Sequence, residues 1–158
     1  MADPIRVQIL DALTTTLGTI TTLNGYRTSL TTVEILSKDW NNPDMYNDLL
    51  PWCGVIPEDE TVKYQPFAHQ VVDWPILIVV HFELQTRTAA GLLAETEAIR
   101  TDVRKAVHSD FTLGVEGVHF ISLAGFQTSV ASAAAIQKGH CGVATRATVR
   151  FTESNSAS

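Results

Sequence analysis

The residues best suited to chemistry are five histidines and two cysteines, and they are scattered along the chain. None of the histidines lies three or four residues from another, so the spacing that places two metal ligands on one helix face is missing. His140 and Cys141 are adjacent, but neighbouring residues of a strand point to opposite faces of a sheet. Cys53 and Cys141 form neither a CxxC pair nor a metal-spaced set, which is typical of a reduced intracellular protein. We therefore expect no metal site and no cofactor.

Acid–base and phosphate chemistry have no local signal either. The chain contains no GxGxxG, GxxxxGK[ST], HExxH or GxSxG motif. His81 falls at the polar end of a predicted strand, and His119 could face Glu83 or Glu116 across a sheet, usually as a structural pair. A small-molecule or catalytic cleft near His81 and His119 is the alternative. The residue pattern favours a protein that is not an enzyme.

Composition indicates one soluble globular domain. The chain has 158 residues, 45% of them hydrophobic and 18% charged, which excludes general disorder. The net charge of −6 argues against a dedicated surface for nucleic acid or anionic membrane. Residues 1–86 carry 11 acidic and 4 basic side chains, whereas residues 87–158 carry 6 and 7. This asymmetry indicates either a solvated acidic loop within residues 34–60 or a polarised subunit whose acidic face meets a basic partner.

Two amphipathic helices are predicted. The first, DPIRVQILDALTTTLGTI, begins with Asp3 as N-cap and Pro4 at the first helical position. Its apolar stripe comprises Ile5, Ile9, Leu13, Leu17 and Ile20. The second helix follows Thr86 or Thr88, carries acids early and bases late as its dipole favours, and has a stripe through Leu92, Thr96, Ile99, Val103 and Ala106/Val107.

The remaining segments read as strands. The sequence predicts strands at 28–36, in GVHFISLAGFQ and at 143–151, with a hairpin at 49–67 around the charged turn Pro57–Glu60. The stretch VVDWPILIVVHFELQTRT is too short in its apolar part for a membrane span. It reads instead as a central strand whose second face is apolar at Leu77 and Val79. We expect a helix or a neighbouring subunit to cover those two residues.

This order of elements predicts an α+β domain with a mainly antiparallel sheet of about five or six strands and two principal helices packed on it. A single domain over residues 1–152 is expected, followed by a disordered polar tail at 153–158.

Aromatic residues on the irregular segment 37–74 suggest a protein contact surface, although their ordinary role is in a core. The candidates for an oligomer or tube interface are Trp40, Tyr46, Trp52, Tyr64, Phe67, Leu77, Val79, Arg146 and Arg150. The two arginines are included because a basic half of one subunit could meet the acidic half of the next. Base stacking is less favoured, since few Lys or Arg residues accompany the aromatic ones.

Taken in order, these segments resemble the tail terminator and tail-completion (minor tail) proteins of tailed bacteriophages, of the lambda type. The resemblance lies in the helix IRVQILDALTTTL running into LNGYRTSLTTVEI, then WPILIVVHFEL, the helix AGLLAETEAIRTDVRKAV, the turn SDFTLGVEG and the strand VATRATVRFTE. It covers nearly the whole chain but includes no diagnostic motif. The segments 37–70 and 131–138 depart from the family pattern.

The resemblance implies a virion structural protein at the head–tail junction, made in the host cytoplasm. Such proteins form homo-hexameric rings that cap the tail tube, terminate tail growth and meet the head connector and neck proteins. The implied partners are further copies of the chain, the tube protein and the connector, while DNA passes through the channel without specific binding and no membrane is involved. An acidic channel wall would suit that passage, because it repels phosphate. Another neck or head–tail joining (stopper) protein is the alternative within virion assembly.

Overall fold

The computed structural model describes residues 4–35, 51–64, 69–83, 88–129 and 140–154. Their order is helix α1 (Ile5–Gly18), a short 3-10 turn (Thr22–Asn24), strands β1 (Thr32–Ile35), β2 (Trp52–Pro57), β3 (Thr61–Tyr64) and β4 (His69–Glu83), helix α2 (Ala89–His108), and strands β5 (Val118–Leu123), β6 (Gln127–Ser129) and β7 (His140–Ser154). The predicted α+β class with a mainly antiparallel sheet is confirmed.

Two long strands form the centre of the sheet. β4 and β7 each contain 15 residues and pair antiparallel along their whole length, from His69 opposite Ser154 to Glu83 opposite His140. At about 3.3 Å per residue, this ribbon is roughly 50 Å long. All the other strands of the described residues flank this pair, so β4 and β7 set the orientation of every side chain discussed below.

The hairpin predicted between β2 and β3 is wrong. Both strands pair antiparallel with β4, β2 with Ile76–His81 and β3 with Val71–Asp73. They therefore run in the same direction as one interrupted strand, and residues 58–60 bulge out between them. The Glu58 N–H still donates to the Pro75 carbonyl at 3.0 Å, so the charged residues interrupt the strand without reversing the chain.

The other side of the ribbon repeats this arrangement. β5 and β6 both pair antiparallel with β7 and are separated by residues 124–126. β1 adds one parallel strand beside β2. The described residues thus form seven strands, against the five or six predicted, because the segment predicted as one strand in GVHFISLAGFQ ends at Leu123 and a separate short strand, β6, begins at Gln127.

Both helices cover the same face of the sheet. Ile9, Leu13 and Leu17 of α1 and Ile99, Val103 and Ala106 of α2 are buried in one core with Ile76, Ile78, Val80 and Phe82 of β4. The predicted apolar stripes are thereby confirmed. The first helix begins one residue later than predicted: Pro4 is its N-cap and makes no side-chain cap. Thr88 caps α2 by accepting from the Gly91 N–H at 3.0 Å.

The end of the domain also extends beyond the prediction. β7 continues to Ser154, and Glu153 is half-buried and ion-paired to Arg6, so the polar tail does not begin at residue 153. Residues 155–158 lie outside the described part of the chain. Within the described part, neither helix has the length and apolar character needed to cross a membrane.

Candidate interaction surfaces

One face of the sheet carries no helix among the described residues, and we call it the open face. Because paired residues of antiparallel strands share a face, it contains Asp73, Leu77, Val79 and His81 of β4 together with Ala144, Arg146 and Arg150 of β7. Trp52, Gly54 and Ile56 of β2 extend it on one side, and Phe120 of β5 on the other.

The apolar part of the open face is closed by an indole. Trp52 is fully buried and forms a separate apolar cluster with Ile56, Leu77 and Val79, against which Ala144 packs. Within the described residues, Trp52 of the adjacent strand packs with Leu77 and Val79, and the expectation that a helix or a neighbouring subunit covers these two residues stays a prediction. Burying this cluster stabilises the fold through the same area-dependent term as the main core.

Three neighbours fix the orientation of that indole. Its ring lies over Gly54, where a Cβ atom would come within 2.9 Å of Trp52 Cζ2. Its Nε1–H donates to Glu34 Oε1 at 2.6 Å, and its rings stack on His81 with centroids 5.4 Å apart. Glycine at position 54 is thus needed for a close approach of side chain to backbone.

The two arginines predicted to meet a neighbour already have acidic partners in their own chain. Arg146 binds Glu58, with Nη2 3.1 Å from Oε2, and Arg150 binds Asp73 through Nε–Oδ1 at 2.7 Å and Nη2–Oδ2 at 2.9 Å. Each carboxylate raises the pKa of its arginine, chiefly through these hydrogen bonds. On the open face, therefore, the arginine charges are largely balanced within the subunit.

A third arginine joins the first helix to the end of the sheet. Arg6 donates to both Glu153 oxygens, at 2.7 and 2.8 Å, and to both Glu60 oxygens, each at 2.6 Å. Its guanidinium also lies over the Phe151 ring, 5.1 Å from the centroid. Hydrogen bonding from Arg6 lowers the pKa of Glu153, and Gln70 adds to this effect. We call Arg6, Glu60 and Glu153 the clasp.

On the helix side, a cleft of about 420 Å³ opens between α2 and the end of β4. It is lined by Arg27, Thr28, Ser29, Leu30, Pro51, Phe82, Glu83, Ala94, Glu95, Ala98 and Ile99. Small alanines form part of its α2 wall, and Glu83 and Glu95 contribute two carboxylates against the one guanidinium of Arg27. The cleft is therefore apolar at its base and acidic in balance.

Asp102 holds the opposite wall of this cleft in place. It is buried and accepts hydrogen bonds from the Arg27 N–H at 3.1 Å, the Thr28 N–H at 2.7 Å and the Thr28 hydroxyl at 2.6 Å. Because a buried carboxylate needs such donors, α2 and the segment at 27–30 are joined tightly.

The histidine and cysteine side chains that the structure describes do not converge on a reactive site. His81 lies opposite Gly142 of β7, whereas exposed His119 contacts the Thr152 hydroxyl at 2.6 Å. Ten residues of β7 separate these positions, roughly 33 Å, so the alternative cleft between the two histidines does not form. Burial raises the pKa of Cys53 to about 12 and also raises that of Cys141. The described residues contain no group of three or more metal-ligating side chains.

The aromatic candidates are only partly placed. Trp52 is buried in the cluster of the open face, and Tyr64 ends β3. Trp40, Tyr46 and Phe67 lie outside the described residues, so their predicted contact role stays a prediction.

Comparison with known proteins finds likeness in structure but none in sequence families. No family model matches the chain, and no curated protein matches it. A solved structure titled "Virion of native gene transfer agent (GTA) particle" contains a chain that is similar over 89% of this chain and 84% of its own length, with a TM-score of 0.46 and 12% identity.

Two features of these surfaces were missed at the level of sequence. The cleft joins segments 27–30 and 94–99, which are far apart in the chain, so no local pattern marks it. An exposed aromatic residue, Phe111, follows α2 and contacts His108 with ring centroids 5.7 Å apart. Its position after a basic helix end was a signal available in the sequence.

Proposed function

We propose that this chain is a structural protein of a tailed-phage virion that forms a ring on the finished tail tube, terminates tail growth and provides the junction to the head connector. The resemblance in element order supports this role, and the open face is the observation that carries it. A broad sheet face without a helix among the described residues, with its apolar part closed by Trp52 and its arginines paired internally, suits packing against other virion subunits.

The proposed role requires no catalysis. His81 and His119 lie far apart, and burial raises the pKa of both described cysteines. The residues placed by the structure therefore favour contact surfaces over a reaction centre, in keeping with a subunit that acts by assembly.

The net charge of the chain and the internal pairing of its open-face arginines support passage of DNA without specific binding. Affinity for duplex DNA depends on cations that neutralise phosphates and release counterions. Arg146 and Arg150 are each occupied by a carboxylate of their own subunit, and the chain carries a net charge of −6. We expect weak binding to duplex DNA at low salt, measured by fluorescence anisotropy. A ring whose channel is lined mainly by Arg and Lys would contradict this part of the proposal.

Removal of the protein from the phage that encodes it tests the role directly. Particles assembled without the terminator should carry tail tubes of uncontrolled length, seen by electron microscopy, and expression of the protein in trans should restore uniform tails. Tails of normal length in its absence would rule out termination.

The same experiment distinguishes a head–tail joining (stopper) protein. Without a stopper, tails should keep their length while filled heads lose DNA or fail to join. The cleft of about 420 Å³ favours a further candidate, a small-molecule-binding domain. A small-molecule-binding domain should be a monomer whose thermal stability rises when a metabolite binds. The proposed ring needs no such ligand.

A further inference from the structure

The end of α2 and the turn after it carry three exposed side chains, which we call the knob: Lys105, His108 and Phe111. Phe111 is 59% exposed, and its ring contacts that of His108. Lys105 is exposed on the same side of the helix, three residues before His108, with its ammonium 4.8 Å from the Tyr26 ring centroid. An aromatic side chain left this exposed beside a lysine is typical of a contact anchor.

The acidic cleft has the complementary chemistry. Its base is apolar, through Leu30, Phe82 and Ile99, and Glu83 and Glu95 supply two carboxylates. Glu83 is exposed at the end of β4. Ala94 and Ala98 keep part of the α2 wall free of large side chains, and the exposed Glu83 carboxylate is complementary in charge to the Lys105 ammonium that accompanies Phe111.

Phe111 and the cleft lie at different positions along one subunit. The cleft borders residues 94–99 of α2, and Phe111 follows the end of that helix at His108, so with a rise of 1.5 Å per residue the two lie roughly 15–20 Å apart along the helix direction. Two different patches on one subunit are what a head-to-tail contact between identical subunits requires, and such contacts form a ring when the rotation between neighbouring subunits closes.

We infer that Phe111, presented with Lys105 and His108, inserts into the acidic cleft at Glu83 and Glu95 of a second copy of this chain. This inference rests on the proposed ring, since it names the contact that builds it. Arg146 and Arg150 are then not the cations that join subunits, because Glu58 and Asp73 already hold them.

Self-association of single variants tests the contact. In Phe111→Ser the apolar anchor is lost, and in Glu83→Lys the rim of the cleft becomes basic; both positions are exposed, so folding should be unaffected. Each change should weaken subunit association about tenfold or more, as expected for an interface anchor. Asp11→Lys, an identical charge change at an exposed position of α1, is the matched control and should assemble as the unchanged chain does.

A charge exchange makes the test specific. Lys105→Glu alone should weaken association, and the double variant Glu83→Lys with Lys105→Glu should recover it, since opposite charges again face each other across every contact. Analytical ultracentrifugation gives the association constants, and circular dichroism checks the fold. If the unchanged chain assembles and Phe111→Ser and Glu83→Lys assemble equally well, the inference is overturned while the ring stands. If the unchanged chain is a monomer at all concentrations, the proposed function itself fails.

Discussion

The clasp gives a prediction whose size follows from the structure. Replacing Arg6 by Met removes four charge-assisted hydrogen bonds to Glu60 and Glu153 but keeps an apolar stem against Phe151. A hydrogen bond to a charged group contributes about 1.5–3 kcal/mol. The side chains of Arg6 and Glu60 are each 32% exposed and that of Glu153 is 23% exposed, so solvent screening reduces the total substantially.

We therefore expect Arg6→Met to lower the free energy of unfolding by about 2–3 kcal/mol, which corresponds to a fall in Tm of roughly 4–10 °C. Urea unfolding followed by intrinsic tryptophan fluorescence measures the change. Arg6→Lys is the matched control. It keeps the positive charge but loses the paired hydrogen bonds of a guanidinium, so its free energy of unfolding should fall between those of the unchanged protein and Arg6→Met. An Arg6→Met variant within about 0.5 kcal/mol of the unchanged protein, the range of ordinary surface substitutions, would refute the structural role of the clasp.

The clasp also predicts the pH dependence. The Arg6 hydrogen bonds lower the pKa of Glu153 from its ordinary value of 4.5. A carboxylate whose pKa is lower in the folded state contributes stability above its unfolded pKa and loses it as pH falls through the folded one. The difference in unfolding free energy between the unchanged chain and Arg6→Met should thus be constant near neutrality and shrink below about pH 4.5. A difference that grows on acidification would contradict this assignment.

Three further substitutions test the sheet and the cleft. Trp52→Ala should cost about 3–5 kcal/mol, because it opens a cavity on the open face and leaves Glu34 without its indole donor; a cost near that of a surface change would show that the indole does not hold this cluster. Gly54→Ala should destabilise measurably, since its Cβ collides with the indole, whereas thermal unfolding unchanged from the parent would mean that the ring sits elsewhere. Asp102→Ala removes the acceptor of two backbone N–H groups and of the Thr28 hydroxyl. We therefore expect the free energy of unfolding to fall by about 2–4 kcal/mol and amide hydrogen exchange at residues 27 and 28 to become faster. Slow exchange retained at these two residues would show that Asp102 does not hold the segment 27–30.

The helices were predictable because their information is local. A period of three to four residues placed Ile9, Leu13 and Leu17 on one stripe, and the structure buries all three. Alternation in β4 likewise separated Ile76 and Ile78 from Leu77 and Val79, which the structure assigns to two different clusters. In both cases the spacing of apolar residues determines the face that is buried.

Pairing partners were not predictable in the same way. Two apolar runs around Pro57–Glu60 look alike whether they pair with each other or successively with β4, and only the tertiary structure distinguishes a hairpin from a bulged strand. The packing of Trp52 with Leu77 and Val79 depends on the position of its indole ring, which lies over Gly54, two residues further along β2. The ion pair of Arg146 with Glu58 joins residues 88 positions apart, so charge counts by half-chain could not reveal that it is internal.

We propose that six copies of this chain assemble into a closed ring. Size-exclusion chromatography with light scattering, followed by negative-stain electron microscopy of the same peak, tests this assembly. We expect a hexameric mass and rings with an open centre. A strictly monomeric protein at high concentration, with no rings on the grid, would contradict it.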